Sequence, residues 1–374
     1  MNYVNNFNLK LHEIRSLTDM ENLHESWNHL VQKMPTSTPF QTWEWNYGIA
    51  KFESDRVSLR IVVAETDSGE VVGIAPFWIR SKGIPGLTVL EFIGTWRSDY
   101  LDLLFLEPYR ESFIQDLGTW VHKRDGWKIV DLQSLRPEAV QLINQDRSFE
   151  INPFDICPYA QLPTTMEEYE ANLPGKLRSL IRRRYKRLTR DGALRFSISR
   201  TPSEMQSNLP HLFALHQRRQ TSKDERGRFF DRRWQEAFSE MSLALSRADL
   251  VRLGLAWIND EPAASLYNLR MRDREYFYMA GMEPSLAHHS PGNLLHHRMI
   301  GEAIREGVQV YDFLRGNEPY KFWWTNETCE IFQMVLYRSK PVHWVSAAED
   351  FVKRRIYRSR LIKKVYLTVM GSKQ

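Results

Sequence analysis

The chain has 374 residues, of which 42% are hydrophobic and 26% charged, and its formal net charge is +5. This composition is typical of a folded protein, and the length predicts two or three domains at about 150 residues each. No apolar run approaches the roughly 20 residues that span a bilayer and the polar start is not a signal peptide, so we expect a cytoplasmic location.

Hydrophobic periodicity predicts alternating strands and helices in the first half of the chain. The glycine of Asp67-Ser68-Gly69-Glu70 favours a tight turn between two strands. In chain order we expect a strand near Leu9–Ile14, a helix near Asp19–Lys33, a helical turn around Phe40–Tyr47, hairpin strands Leu59–Glu65 and Val71–Ile79, strands Leu87–Ile93 and Leu101–Leu106, a helix at Glu111–Lys123 and a strand at Trp127–Leu132.

The second half repeats the same order of elements. We expect a strand at Leu194–Ser199, helices Ser203–Arg218 and Arg232–Leu245, hairpin strands Leu250–Ile258 and Ala263–Met271 joined at Asn259–Pro262, a strand at Tyr276–Met282, a helix at Pro291–Glu306, and strands Val308–Leu314 and Ile331–Tyr337. Strands joined by crossover helices indicate an α/β fold with a mixed sheet. Two such domains in tandem fit the length.

The positive charge is concentrated in two segments. Lys176–Arg190 and Lys353–Gln374 each carry eight basic residues and no acidic one, which leaves 35 basic against 46 acidic side chains elsewhere. Within Pro163–Arg190 and within Asp350–Val369, apolar residues recur at three- and four-residue spacing, so both segments predict amphipathic helices with a basic face. We therefore divide the chain into a first domain at 1–160, a basic helical connector at 161–192, a second domain at 193–345 and a basic C-terminal helix at 346–374.

Neither cysteine nor histidine spacing indicates a metal. Cys157 and Cys329 lie far apart and have no second ligand pair, so we expect free thiols. The histidine pairs at 288–289 and 296–297 do not have the HExxH spacing, and adjacent residues on a helix point in different directions. No metal is expected.

Two motifs in the second half indicate a ligand site. Ser290-Pro291-Gly292-Asn293 opens a helix directly after a strand, where free N–H groups and the helix dipole favour an anion such as a diphosphate. A simple helix start is the alternative interpretation. Tyr311–Trp324 follows the next strand and places Asp312, Arg315, Glu318, Tyr320 and Lys321 around a glycine turn, where ligands collect in open α/β sheets. An ion-paired loop is the alternative there.

These motifs are similar to those of the CelD/BcsL acetyltransferases, a tandem branch of the GNAT superfamily related to the Fem-type peptidyltransferases. The resemblance covers about residues 40–337 and rests on Phe40 with Trp43 and Trp45, Asp99-Tyr100, Leu215-His216-Gln217-Arg218-Arg219, Ser290-Pro291-Gly292, and Asp312-Phe313-Leu314-Arg315-Gly316 with Tyr320-Lys321. It implies two GNAT-like domains with mixed sheets, an acetyl-CoA or other acyl-CoA donor held by the second domain, and an amine acceptor that often belongs to an envelope or exopolysaccharide pathway.

The donor loop departs from the usual GNAT pattern. That pattern is Gln/Arg-x-x-Gly-x-Gly/Ala, whereas 288–293 contains one glycine, which leaves the pose of CoA open. We assign Ser290, Pro291, Gly292 and Asn293 to the donor. The first half has carboxylates in the equivalent stretch 95–102, so we expect it to supply acceptor contacts, with Asp99, Tyr100, Trp43, Trp45 and Arg315 as candidates.

Transfer of an acyl group from a thioester to an amine requires a base, stabilisation of an oxyanion and an exit for the thiolate. Asp312 is the first candidate for the base and His216 the second; the alternatives are an ion pair of Asp312 with Arg315 or Lys321, and a structural histidine at 216. By the Fem-type resemblance, Lys321 is the cation near the tetrahedral intermediate. Tyr320 is a candidate donor to the thiolate.

Two other functions remain open. A Fem-like transferase would take its donor from a charged tRNA, which the basic helix at 176–190 favours and the acidic remainder of the chain opposes, so nucleic acid is not the expected partner. A catalytically degenerate protein would instead scaffold polysaccharide synthesis. In each case the basic helices favour peripheral contact with the inner membrane or with a polysaccharide-synthesis complex.

Overall fold

The computed structural model describes residues 7–144, 148–190, 194–223 and 227–348. The helices are α1 (Leu17–Asn22), α2 (His24–Lys33), α3 (Trp43–Glu53), α4 (Arg110–Lys123), α5 (Pro137–Ile143), α6 (Met166–Asn172), α7 (Gly175–Arg190), α8 (Pro202–Thr221), α9 (Arg232–Arg247) and α10 (Pro291–Arg305). The basic C-terminal helix expected at Asp350–Val369 lies outside the described residues.

The strands form one mixed sheet. They are β1 (Lys10–Ile14), β2 (Val57–Glu65), β3 (Val71–Ser81), β4 (Thr88–Phe92), β5 (Leu104–Phe105), β6 (Ile129–Leu135), β7 (Glu150–Gln161), β8 (Leu194–Ser199), β9 (Val251–Ile258), β10 (Glu261–Met271), β11 (Arg274–Met282), β12 (Val310–Asp312) and β13 (Glu327–Tyr337). Their order is β1-β2-β3-β4-β6-β13-β7-β12-β11-β10-β9-β8, with β5 paired to β3. The two expected repeats are therefore the two wings of this sheet.

The wings exchange their last strands. β7 follows the first repeat in sequence but pairs with β12 of the second, and β13 follows the second repeat but pairs with β6 of the first. β7 and β13 pair with each other in the centre, where Cys157 stands opposite Cys329. Each repeat thus completes its sheet with a strand from the other.

Most predicted elements are confirmed, and the differences are local. The helix expected at 19–33 is two helices that meet at Leu23. The strand expected at 101–106 is reduced to the two residues of β5, and the strand expected at 308–314 is reduced to the three residues of β12. β10 starts at Glu261, because Asn259 and Asp260 both have positive φ and make the turn alone. Strand β7 was not predicted.

The helices cover both faces of the second wing. Along β10, Tyr267 and Leu269 pack with α8 in one core cluster, whereas Ala264 and Leu266 pack with α10 in another. Because successive strand residues point to opposite faces, α8 and α10 lie on opposite sides of the sheet. No helix among the described residues is long and apolar enough to cross a membrane.

Candidate active site

A cleft opens where two neighbouring parallel strands diverge. β11 and β12 pair only from Arg274 opposite Val310 to Tyr276 opposite Asp312, after which β11 continues beside β10. A cavity of about 570 Å³ lies at this point. We call it the splay cleft; it is lined by Arg97 and Asp99 from the first half, His216, Arg219, Gln220 and Lys223, Phe277–Ala280 of β11, Phe313–Arg315, Glu318, Tyr320 and Lys321.

The splay cleft contains five of the side chains that the sequence selected: Asp99, His216, Arg315, Tyr320 and Lys321. They come from both halves of the chain, from helix α8 and from the loop after β12. The Asp99 carboxylate lies 3.0 Å from the Arg315 guanidinium, which also reaches the Ser134 hydroxyl at 3.3 Å. This ion pair ties the loop after β12 to the first half.

Lys321 is held in place by the loop around it. It is 3% exposed, and its Nζ donates to the carbonyl oxygens of Leu314 at 3.0 Å and Arg315 at 2.7 Å. The Glu318 carboxylate lies 3.0 Å away. The ammonium group therefore fixes the turn at 314–316 and brings a positive charge to the wall of the splay cleft.

Asp312 lies behind the splay cleft and is not among its lining residues. One carboxylate oxygen accepts hydrogen bonds from the Tyr100 hydroxyl at 2.9 Å and from Arg274 at 3.0 Å, and the other accepts from the Leu314 N–H at 2.8 Å. Burial raises the pKa of Asp312, and the positive charge of Arg274 opposes that rise. The ion-pair partner is thus Arg274, and neither Arg315 nor Lys321 takes that place.

Three candidate acceptor residues lie outside the splay cleft. Trp45 is fully buried and donates from its indole to the Ser98 hydroxyl at 2.8 Å, while Trp43 stacks on Tyr47 with ring centroids 4.4 Å apart. Tyr100 is buried against Asp312. Trp45 and Tyr100 thus belong to the buried core, and Trp43 is half-buried against it, because burial stabilises their large apolar surfaces.

The predicted donor motif forms the start of α10, as expected, but the Ser290 side chain does not cap the helix. Ser290 has φ 56° and its side chain makes no capping hydrogen bond; its carbonyl oxygen instead accepts from Asn293 at 3.1 Å and Leu294 at 3.3 Å. A Cβ added at Gly292 meets no atom within 4 Å, so the backbone there is open to a ligand. Ser290–Asn293 do not line the splay cleft itself.

Cationic side chains surround this helix end. Burial lowers the pKa of His289, and the nearby charges of His288, Arg187 and Arg184 lower it further. Arg184 and Arg187 belong to α7, which packs on α10. The basic helix thus brings positive charge to the N-terminus of α10.

Sequence reasoning missed part of the site. Arg97, Gln220, Lys223 and the β11 residues Phe277–Ala280 line the splay cleft but were not selected, and Arg219 was quoted only as part of a motif. The spacing of 216, 219 and 220 places three polar side chains on one face of α8, and Lys223 follows two residues after the end of the helix. No group of three or more His, Cys, Asp or Glu in the described part of the chain could hold a metal.

Comparison with known families agrees with this geometry. Residues 175–322 match the model of the acetyltransferase (GNAT) domain. This match covers β8 to β12, α8, α10 and the splay-cleft residues of the second half, but not Arg97 and Asp99. The second wing is therefore GNAT-like, and the first wing repeats its architecture. The chain is accordingly an acyltransferase enzyme with two tandem GNAT-like domains.

Solved structures share the fold over almost the whole chain. FemX is 12% identical with a TM-score of 0.62, and the match covers 90% of this chain and 99% of that one. L-PGS from Bacillus licheniformis is 14% identical with a TM-score of 0.54, covering 86% and 94%. No curated protein sequence matches the chain.

Proposed function

We propose that this enzyme transfers an acetyl or other acyl group from acyl-CoA to an amine of a small molecule, an amino sugar or an envelope or exopolysaccharide precursor. The observation that carries the proposal is the splay cleft, which lies between the diverging strands β11 and β12 of the GNAT-like second wing. The next α-helix after β11 is α10, whose N-terminus is open at Gly292. The resemblance to the CelD/BcsL acetyltransferases supports the polysaccharide context.

In this proposal the two ends of the donor occupy different places. The thioester arm lies between β11 and β12, where unpaired strand edges can hydrogen-bond to amide groups. The diphosphate lies at the start of α10, where the helix dipole and the charges of Arg184 and Arg187 favour an anion. Acetyl-CoA is the simplest donor of this class.

The chemistry needs no covalent enzyme intermediate. The amine nitrogen attacks the thioester carbonyl carbon, the resulting oxyanion collapses, and the C–S bond breaks to give an amide and a thiolate. The base takes one proton from the amine, and the thiolate takes up one proton, so the products are an amide and free CoA. We assign the base to His216, since it lines the splay cleft and Asp312 does not.

The other predicted residues take supporting roles in this scheme. Asp312 is a positioning residue that fixes the backbone at Leu314. Burial raises the pKa of Tyr320, so its hydroxyl keeps its proton and can donate a hydrogen bond to the leaving sulfur. Lys321 places a positive charge at the wall of the splay cleft, and Asp99 with Arg315 contributes to the acceptor side.

The test is release of CoA thiol from acetyl-CoA with a panel of amines. We expect His216→Gln to lower kcat by about 10²- to 10⁴-fold, as loss of a general base does, and to change the KM for acetyl-CoA little. His211→Gln, a change of a histidine on the same helix that packs on Trp257, is the matched control and should keep wild-type turnover. Equal activity of the His216 and His211 variants would remove His216 from the mechanism.

The exposed face of α7 supports a second part of the proposal, namely contact with an anionic membrane surface. Beside Arg184 and Arg187, five cations of this helix have no carboxylate partner among the residues that the structure describes: Lys176, Arg178, Arg182, Arg183 and Lys186. Such a face attracts anionic lipids by about 1 kcal/mol per charge near the surface.

Flotation with phosphatidylglycerol vesicles tests this contact, with phosphatidylcholine vesicles as the neutral reference. Arg182→Gln/Arg183→Gln/Lys186→Gln should reduce flotation with the anionic vesicles. Unchanged flotation would contradict the proposal, and salt-sensitive binding of tRNA without any vesicle binding would favour the Fem-like alternative instead.

A further inference from the structure

The splay cleft carries an excess of positive charge. Five cations and two carboxylates line it. Arg315 is paired with Asp99, Lys321 with Glu318, and Arg97 with Glu53 outside the cleft at 3.0 Å. Arg219 and Lys223 have no carboxylate partner among the described residues.

These two cations lie at the C-terminal end of α8. Arg219 belongs to its last turn, Lys223 comes two residues after its last residue, Thr221, and both line the splay cleft together with His216. Burial raises the pKa of Tyr320 and lowers that of His296, and the positive charge of Arg219 opposes the first change and adds to the second. The amide oxygen of Gln220 between them is buried and has no hydrogen-bond partner among the residues that the structure describes.

The position of α8 separates these cations from the proposed phosphate site of the donor. α8 and α10 pack on opposite faces of the sheet. Arg219 and Lys223 line the splay cleft, whereas Ser290–Asn293 at the start of α10 do not. An anion bound by these two cations therefore sits in the splay cleft itself, apart from the diphosphate proposed at the start of α10.

We propose that the acyl acceptor carries a carboxylate or phosphate group, and that Arg219 and Lys223 bind it. This inference rests on the proposed function and names the acceptor as an anionic amine. At 1.5 Å per residue, Arg219 lies about 5 Å along α8 from His216 and Lys223 lies beyond the end of the helix, so the anionic group sits about one hexose length from the reacting nitrogen. Gln220 accepts a hydrogen bond from a hydroxyl or amide of the same acceptor.

The experiment uses inorganic pyrophosphate as the probe, titrated by calorimetry into the full chain already saturated with CoA. We expect one further anion to bind to the wild type and to bind at least tenfold more weakly to Arg219→Gln/Lys223→Gln. Lys33→Gln/Lys123→Gln removes two exposed cations from the first half and should leave this binding unchanged. Both double variants should keep the wild-type unfolding midpoint, since they alter side chains that are exposed or half-buried.

A matched pair of amines gives the second measurement. Glucosamine 6-phosphate should bind to the CoA-saturated wild type at least tenfold more tightly than glucosamine, and the Arg219/Lys223 variant should lose that difference. Absence of a second anion site in the wild type, or equal binding by the two double variants, would overturn the inference and leave the proposed function standing. Failure of CoA itself to bind would overturn both.

Discussion

Burial sets the charge of the histidine behind the splay cleft. His296 of α10 is 4% exposed and packs against the rings of Phe277, Phe313, Tyr320 and Trp324. Its Nδ1 has no hydrogen-bond partner among the described residues. Burial lowers its pKa to about 3, so the folded protein holds a neutral imidazole at physiological pH.

This burial predicts a loss of stability in acid. Because the pKa of His296 is lower in the folded than in the unfolded state, the unfolded chain binds the proton and stability falls as the pH drops below about 6.5, until the folded pKa is reached. Between pH 6.5 and 4.5 we expect this histidine alone to cost about 2 kcal/mol of unfolding free energy. The measurement is denaturant unfolding of the wild type and His296→Leu at both pH values.

The difference between the two proteins isolates His296 from the other titrating groups. The wild type should lose more free energy of unfolding than His296→Leu over this interval. A pH dependence that is the same in both proteins would show that His296 is hydrated or paired, contrary to the packing described above.

At the scale of elements, the contact between α8 and β11 positions His216. A Cβ added at Gly281 of β11 would lie 2.5 Å from the His216 backbone nitrogen and 2.6 Å from Leu215 Cβ. Glycine therefore allows the helix to approach the strand closely enough for His216 to reach the splay cleft.

We expect Gly281→Ala to push α8 away from β11. Overpacking of this kind costs about 1–3 kcal/mol, and the displaced His216 should lower acyl-transfer turnover as well. Gly118→Ala in α4 is the control, since a Cβ there meets no atom within 4 Å and should stabilise the helix or leave it unchanged. Wild-type turnover and stability for Gly281→Ala would mean that this contact does not position the helix.

The elements also differ in how far the sequence predicts them. Both hairpins and α8, α9 and α10 follow from periodicity, because each buries one face against a single neighbouring layer. β7 contains Pro153 and Pro158, which argue against a central strand, yet it lies between β12 and β13. The Pro158 carbonyl still accepts a hydrogen bond from Phe313 at 2.8 Å, and pairing on both sides overrides the local preference.

The sequence also predicts the candidate site only in part. The motifs after β11 and β12 locate the GNAT domain, and five selected residues do line the splay cleft. Nothing local distinguishes Trp45, which fills the core, from a residue that lines a pocket. The sequence likewise does not indicate that Arg97 lines the splay cleft, because the approach of the first half to this cleft depends on the exchanged strands.

At the scale of the whole molecule, the exchange of β7 and β13 joins the two wings into one unit. β7 pairs with β12 and β13, and β13 pairs with β6 and β7. Neither strand pairs directly with a strand of the repeat that it follows in sequence. The ion pair of Asp99 with Arg315 and the hydrogen bond of Tyr100 to Asp312 cross the same junction. If the wings separated, strand edges that are hydrogen-bonded in the intact sheet would lose their partners on both sides.

We therefore expect one cooperative unfolding transition for two GNAT-like domains. Differential scanning calorimetry should give a calorimetric enthalpy equal to the van't Hoff enthalpy, as in a single two-state domain. Tryptophan fluorescence, which reports on both halves, and activity, which depends on the splay cleft, should be lost at the same denaturant concentration. Two separated transitions would show that the wings are stable on their own.

The proposed function requires the second wing to bind an acyl-CoA at the start of α10, which equilibrium binding of acetyl-CoA measures. Gly292→Glu fits sterically and places a carboxylate where the diphosphate is proposed to lie, whereas Gly118→Glu adds the same charge to an open helix position in the first half. Calorimetry should show acetyl-CoA binding by the wild type and by Gly118→Glu, with at least tenfold weaker binding by Gly292→Glu. No binding by the wild type, or equal binding by both variants, would contradict the account.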